Sequence, residues 1–77
     1  MNVQIKLFGL LADIVGKNKI QMQDINDTES LREKIIFYFP KLKEYSFTMA
    51  ISNQIIKGNH KINSGDEIVL LPPFAGG

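Results

Sequence analysis

The sequence predicts an α+β domain, a small sheet covered on one face by a single helix. Two observations point there. Three short stretches alternate apolar and polar residues with the period of two that marks a strand, and one segment alone, residues 29–39, has helix length and patterning. In chain order the elements read strand, strand, helix, strand, a short candidate strand and strand, which places a hairpin and further strands around one crossing helix. At 77 residues the chain is expected to be one domain, residues 1–77, with no internal repeat or linker. A chain of this size buries only about 60% of its unfolded surface. It has room for one small core and little room for a deep enclosed active site.

Residues 3–8 set Val3, Ile5 and Leu7 against Gln4, Lys6 and Phe8, a half-buried strand. Residues 9–16 form a connector in which Leu10, Leu11, Ile14 and Val15 have the spacing of one helical turn. Residues 19–25 alternate through Ile20 and Met22, a second strand expected to pair antiparallel with the first. Asp27 or Thr28 can cap the helix, because their side-chain oxygens accept from free backbone N–H groups. Glu29 and Glu33 stand toward its positive end. Leu31, Ile35, Tyr38 and Phe39 fall at i, i+4, i+7 and i+8 and predict the buried face, while Ile36 and Phe37 lie outside what one face explains. Pro40 ends the helix by pushing Phe39 out of α geometry.

Residues 46–52 alternate through Phe47, Met49 and Ile51, a third strand, and Ile55-Ile56 is a short candidate strand before the turn at 57–59. Ser64-Gly65-Asp66 is a turn and residues 67–71 are the last strand. That strand is apolar on both faces, with Ile68 and Leu70 on one and Val69 and Leu71 on the other. A sheet with one helix has only one face to bury. If the third strand is its neighbour, Thr48, Ala50 and Ser52 join Val69 and Leu71 in a flat, mildly apolar patch. Such patches mark partner sites, although high strand propensity alone also accounts for Val and Leu there.

Composition narrows the function. Nine Lys plus Arg against eight Asp plus Glu leave a net charge of +1, too balanced for a nucleic-acid or membrane-surface module. Arg32 is the only Arg, so bidentate phosphate clamps have almost nothing to build on. There is no Cys and His60 is the only His, which leaves no thiol nucleophile, disulfide scaffold, iron–sulfur site or multi-His metal site. No metal and no bound cofactor are expected. The first residues lack a signal-peptide pattern, no apolar stretch approaches the ~20 residues of a membrane span, and a cytoplasmic protein is expected.

The last residues, LPPFAGG, carry most of the functional signal. Pro72 and Pro73 cannot extend a ladder and favour a stiff, extended exit for a flexible tail spanning 72–77. Gly76 and Gly77 have no side chains, so an extended backbone ending in a reactive carboxylate could thread a narrow tunnel of another protein. A free carboxylate is a poor acyl donor and would first need activation as an acyl-adenylate. Read as structure only, the same residues are a terminus that frays.

With these residues in view the chain resembles the small subunits of molybdopterin synthase (the MoaD type), within the ubiquitin-like sulfur carriers. The resemblance rests on Leu7-Phe8-Gly9, the helix running from Thr28 to Pro40, Asn53-Gln54, and above all Gly65-Asp66-Glu67-Ile68-Val69 leading into Pro72-Pro73-Phe74-Ala75-Gly76-Gly77. It spans essentially the whole chain. It implies a β-grasp fold, a mixed sheet of four to five strands with one main helix on one face. It implies that Gly77 is adenylated by an ATP-dependent enzyme related to ubiquitin-activating enzymes and then becomes a thiocarboxylate. The tail would enter the active site of a large synthase subunit and donate sulfur to cyclic pyranopterin monophosphate, within a heterotetramer of two small and two large subunits. The chain would thus be a sulfur-donor subunit, with the catalytic side chains on its partner. Ala12-Asp13 stands where many members have an Arg-Glu pair, which puts an ion pair there in doubt.

Other readings share the fold and the glycines: a carrier for thiamine, tRNA thiolation or a cysteine pathway, a ubiquitin-like modifier joined to lysines, or a binding module with an inert tail. Pro72-Pro73 favours the molybdopterin branch of the resemblance. Phe74, with Ala75, is the expected apolar anchor on the tail in a partner pocket, or else packs on its own sheet. Asp66 and Glu67 are adjacent on a strand, point to opposite faces and cannot converge on one substrate atom, so Asp66 is expected to support the turn. His60 and the lysines Lys6, Lys57 and Lys61 are expected to be solvated.

Overall fold

Eight elements follow one another in the computed structural model, which describes residues 2–72. They are β1 (Asn2–Leu7), α1 (Leu10–Val15), β2 (Lys19–Gln23), α2 (Thr28–Tyr38), a 3₁₀ turn (Pro40–Glu44), β3 (Thr48–Ile51), β4 (Gln54–Ile55) and β5 (Ile68–Leu71). The sheet order is β2-β1-β5-β3-β4. β1 pairs antiparallel with β2 and parallel with β5, while β3 pairs antiparallel with both β5 and β4. The sheet is therefore mixed, as expected, and the last strand sits at its centre.

Strand alternation decides which face is buried. Val3, Ile5, Leu7, Met22, Met49, Ile51, Ile68 and Leu70 point inward, and Leu11, Leu31, Ile35 and Leu42 close over them from the helical side. α1 is more than the single turn expected, and ends on Gly16 in the left-handed conformation, whose N–H donates to the Ala12 carbonyl. Asp27 is the cap of α2, its Oδ1 accepting from the Ser30 N–H at 2.8 Å. The buried Thr28 fastens the same end to the loop before β5: its Oγ1 accepts from the His60 N–H at 2.9 Å and its own N–H donates to the His60 carbonyl at 2.9 Å. The Arg32 guanidinium lies over the buried Phe47 ring, 4.6 Å from its centroid.

Three local expectations are corrected. Tyr38 does not join the buried face of α2 but is 57% exposed, because it stands beside the β2 edge, where no further strand lies over it among the described residues. β2 stops at Gln23, since Asp24 turns the chain with φ at 60°. The short strand is Gln54–Ile55 rather than 55–56, because Ser52 and Asn53 both take positive φ (49° and 69°), the requirement of a two-residue type I′ hairpin. That register sends Ile55 outward opposite Ala50.

Candidate functional site

The outer face of the sheet divides along its width. Toward β2 it is polar, with Gln4, Lys19, Gln21 and Gln23 exposed. Toward β5, β3 and β4 it is apolar. The register aligns Lys6, Val69, Ala50 and Ile55 across four strands, and Leu71 beside Thr48 in the next row. The Phe8 N–H donates to the Leu70 carbonyl at 3.3 Å, so the ladder continues and places Phe8 next to Leu71. Phe8 is 51% exposed and Ile55 50%, with Val69 and Leu71 half-buried between them. Among the described residues no helix covers this band, because α2 is spent on the other face.

The patch expected from β3 and β5 as neighbours therefore exists, with Val69 and Leu71 on it. Its two most exposed members, Phe8 and Ile55, are not among the patch residues that the sequence predicts. The signal for Phe8 was present: it is an apolar residue on the polar phase of its strand. Ile55 could not be found without the hairpin register.

The band ends where the chain leaves the sheet. Pro72, expected in the free tail and on a partner surface, is buried, with Gly9 against its ring. A Cβ built on Gly9 would stand 3.3 Å from Pro72 Cγ, and Gly9 has φ 56° and ψ −132°, a region open essentially to glycine alone. The Leu7-Phe8-Gly9 motif thus seats the base of the tail. Pro73, Phe74, Ala75, Gly76 and Gly77 lie outside the described residues.

Among the described residues, the carboxylates beside this face have local partners. Asp66 serves its turn, Oδ2 accepting from the Asn63 N–H at 2.7 Å. Glu67 pairs with Lys6 at 3.8 Å, both side chains well exposed, a weak surface pair. Among the described residues the Lys6–Glu67 contact is the one salt bridge, so Asp13 makes no ion pair with any of them. Among those residues, too, no group of three or more His, Cys, Asp or Glu could hold a metal ion, and no helix is long and apolar enough to cross a membrane.

A mixed five-stranded sheet wrapped on one helix, with an apolar outer band at the exit of its last strand, defines a ubiquitin-like β-grasp protein. The ThiS family model matches residues 5–77, and the chain belongs to that family of ubiquitin-like sulfur carriers. Subunit 1 of the molybdopterin-converting factor of Helicobacter pylori, solved in complex with subunit 2, is 30% identical over 100% of both chains, with a TM-score of 0.72. A protein described as molybdopterin converting factor subunit 1 of Pyrococcus furiosus shares the fold at TM-score 0.86 and 18% identity, over 95% of this chain and 98% of that one. Small archaeal modifier protein 1 of Methanosarcina acetivorans shares it at 0.82 and 21%, over 99% and 96%. No curated protein sequence matches the chain.

Proposed function

We propose that this chain is the sulfur-donating small subunit of a molybdopterin synthase. The observation that carries the proposal is the uncovered apolar band of Phe8, Val69, Leu71 and Ile55 at the base of the tail. A protein that must hold its own C-terminus inside another protein needs such a surface there, and the full-length likeness to a subunit solved with its companion subunit supports the same assignment. In this reading the Gly77 carboxylate attacks the α-phosphate of ATP on an activating enzyme and releases pyrophosphate. A donor of sulfide-level sulfur (HS⁻) then attacks the acyl carbon, its new C–S bond replacing the C–O bond to AMP, and loss of a proton leaves a thiocarboxylate. The outer band docks on the large subunit, Phe74 and Ala75 follow into its groove, and Gly76-Gly77 present the sulfur to cyclic pyranopterin monophosphate. Each chain delivers one sulfur, so the dithiolene requires two charged chains, in keeping with an assembly of two small and two large subunits.

A second reading has its own support. The archaeal modifier proteins share the fold as well as the P. furiosus protein does. A modifier would use the same adenylate with a lysine amine as acceptor.

Intact-mass spectrometry of the protein from its native cells decides. The expected result is replacement of one oxygen by sulfur, mapped to Gly77, with loss of sulfur transfer and an unchanged fold when Gly77 is deleted. An isopeptide-linked adduct on other proteins would favour the modifier. No thiocarboxylate even with the cell's own activating enzyme, ATP and a sulfide-level sulfur donor would overturn this proposal.

A further inference from the structure

The open edge of β2 carries features that the proposed function leaves unused. The sheet has two edges of unlike character. β4 is two residues long, whereas β2 runs five residues with no neighbour on its outer side among the described residues. The direction of the β2 backbone follows from the ladder. The Leu7 N–H donates to the Asn18 carbonyl at 2.9 Å, and hydrogen-bonded pairs alternate along an antiparallel ladder. Ile5–Ile20 and Val3–Met22 are then hydrogen-bonded pairs as well, so Lys19, Gln21 and Gln23 turn their N–H and C=O groups to the open edge. The one outward group with a partner agrees: the Gln23 carbonyl accepts from Lys34 Nζ at 2.6 Å.

The open edge forms one wall of a groove, and Tyr38 and Phe39 form the other, with Ile20 and Met22 among the lining residues. Tyr38 is 57% exposed and Phe37 beside it 78%, their rings edge to face at 5.5 Å. Exposed aromatic rings next to unpaired strand backbone are a costly arrangement for a lone domain. The charges choose the occupant. Lys17, Lys19 and Lys34 line the groove against Asp24 alone. Lysines on an edge strand discourage pairing with a second copy of the same strand and attract an acidic one.

We propose that the β2 edge docks an extended acidic segment of another protein, which adds as a sixth strand beside β2. Its backbone pairs with Lys19 and Gln21, its apolar side chains alternate toward Ile20 and Tyr38, and its carboxylates meet Lys17 and Lys19. The surface is separate from the Val69–Leu71 band, so the chain could be held by this edge while its tail is engaged elsewhere.

The probe is a peptide of about six residues alternating valine and glutamate, titrated into the full-length ¹⁵N-labelled protein. Amide shifts at Lys19, Gln21 and Gln23 are expected, with binding weakened about tenfold by the double change Lys17→Glu and Lys19→Glu. Gln21→Pro removes an outward N–H and leaves the β1 ladder whole, and it should abolish binding. Should that variant fail to fold, Tyr38→Ala tests the other wall and should also weaken binding. Shifts centred on Val69 and Leu71, equal binding of a valine–lysine peptide, or no shift at the solubility limit would each overturn the proposal. So would a concentration-dependent dimer that protects the β2 amides without peptide, which would make the occupant a second copy.

Discussion

β5 presents the same kind of residue to two different fates. Ile68 and Leu70 are fully buried beneath the helices, whereas Val69 and Leu71, one step away along the same strand, are half-covered on a face with no helix. Side-chain chemistry does not distinguish the pairs; what lies opposite them does. A strand apolar on both faces in a sheet with one covering layer has more apolar surface than its own fold can bury. The inner pair holds the domain together, and the outer pair is the surface that the proposed docking on a large subunit would use.

Aspartate at the two neighbouring positions is the sharpest way to break that comparison. Leu70→Asp places an unpaired charge in the core and should cost more than about 4 kcal/mol, enough to unfold a domain of this size. Leu71→Asp should leave chemical denaturation nearly unchanged while weakening binding to a molybdopterin synthase large subunit about a hundredfold, read by isothermal titration. Equal loss of stability in both variants would mean that the outer band is core in its own right. Unchanged affinity with Leu71→Asp would move the docking surface elsewhere.

Gly9 offers a smaller test of how the band connects to the tail. Gly9→Ala forces a Cβ both into a glycine conformation and to within 3.3 Å of Pro72 Cγ. Backbone strain of that kind costs about 1–3 kcal/mol, measurable by urea titration. Pro72→Ala removes the Cγ. If the double variant recovers stability relative to Gly9→Ala, the contact with the tail base is the larger part of the cost; if nothing is recovered, the backbone conformation is.

The fold was largely legible because β1, β2 and β3 state their buried face in alternation and the helix has one stripe with a cap before it and a proline after it. The misreadings share a cause. Tyr38 has the right helical phase to be buried, but helical phase does not report where a helix overhangs the edge of its sheet. Ile55 and Ile56 are indistinguishable by composition, and only the positive φ of Ser52 and Asn53 decides which of them faces out. The site was half legible. Val69 and Leu71 declared themselves as surplus apolar residues, whereas the role of Gly9 depends on Pro72 returning to it across more than sixty residues of chain, which no local pattern records.

The smallest expected effect separates the polar clamp at the start of α2 from the apolar faces of β5. The Asp27 carboxyl is held below its ordinary value, first by the Ser30 backbone N–H, then by hydrogen bonds from the Ser30 and Asn59 side chains. A carboxyl depressed by folding contributes stability that is complete above its unfolded pKa and is lost as pH falls through the lower folded one. Stability should therefore fall as the solution is acidified below about pH 4, where an unperturbed Asp takes up its proton. Asp27→Asn keeps an acceptor for the Ser30 N–H but cannot titrate, so it should flatten that decline while preserving most of the stability at neutral pH. The group is exposed, and salt should shrink only the part of the effect that depends on charge. Because the clamp ties α2 to loop 58–60 and touches neither face of β5, the same change should leave large-subunit affinity unaltered. A parallel loss of affinity would show that the outer band depends on the helix end after all, and that the two faces of β5 are less independent than their burial suggests.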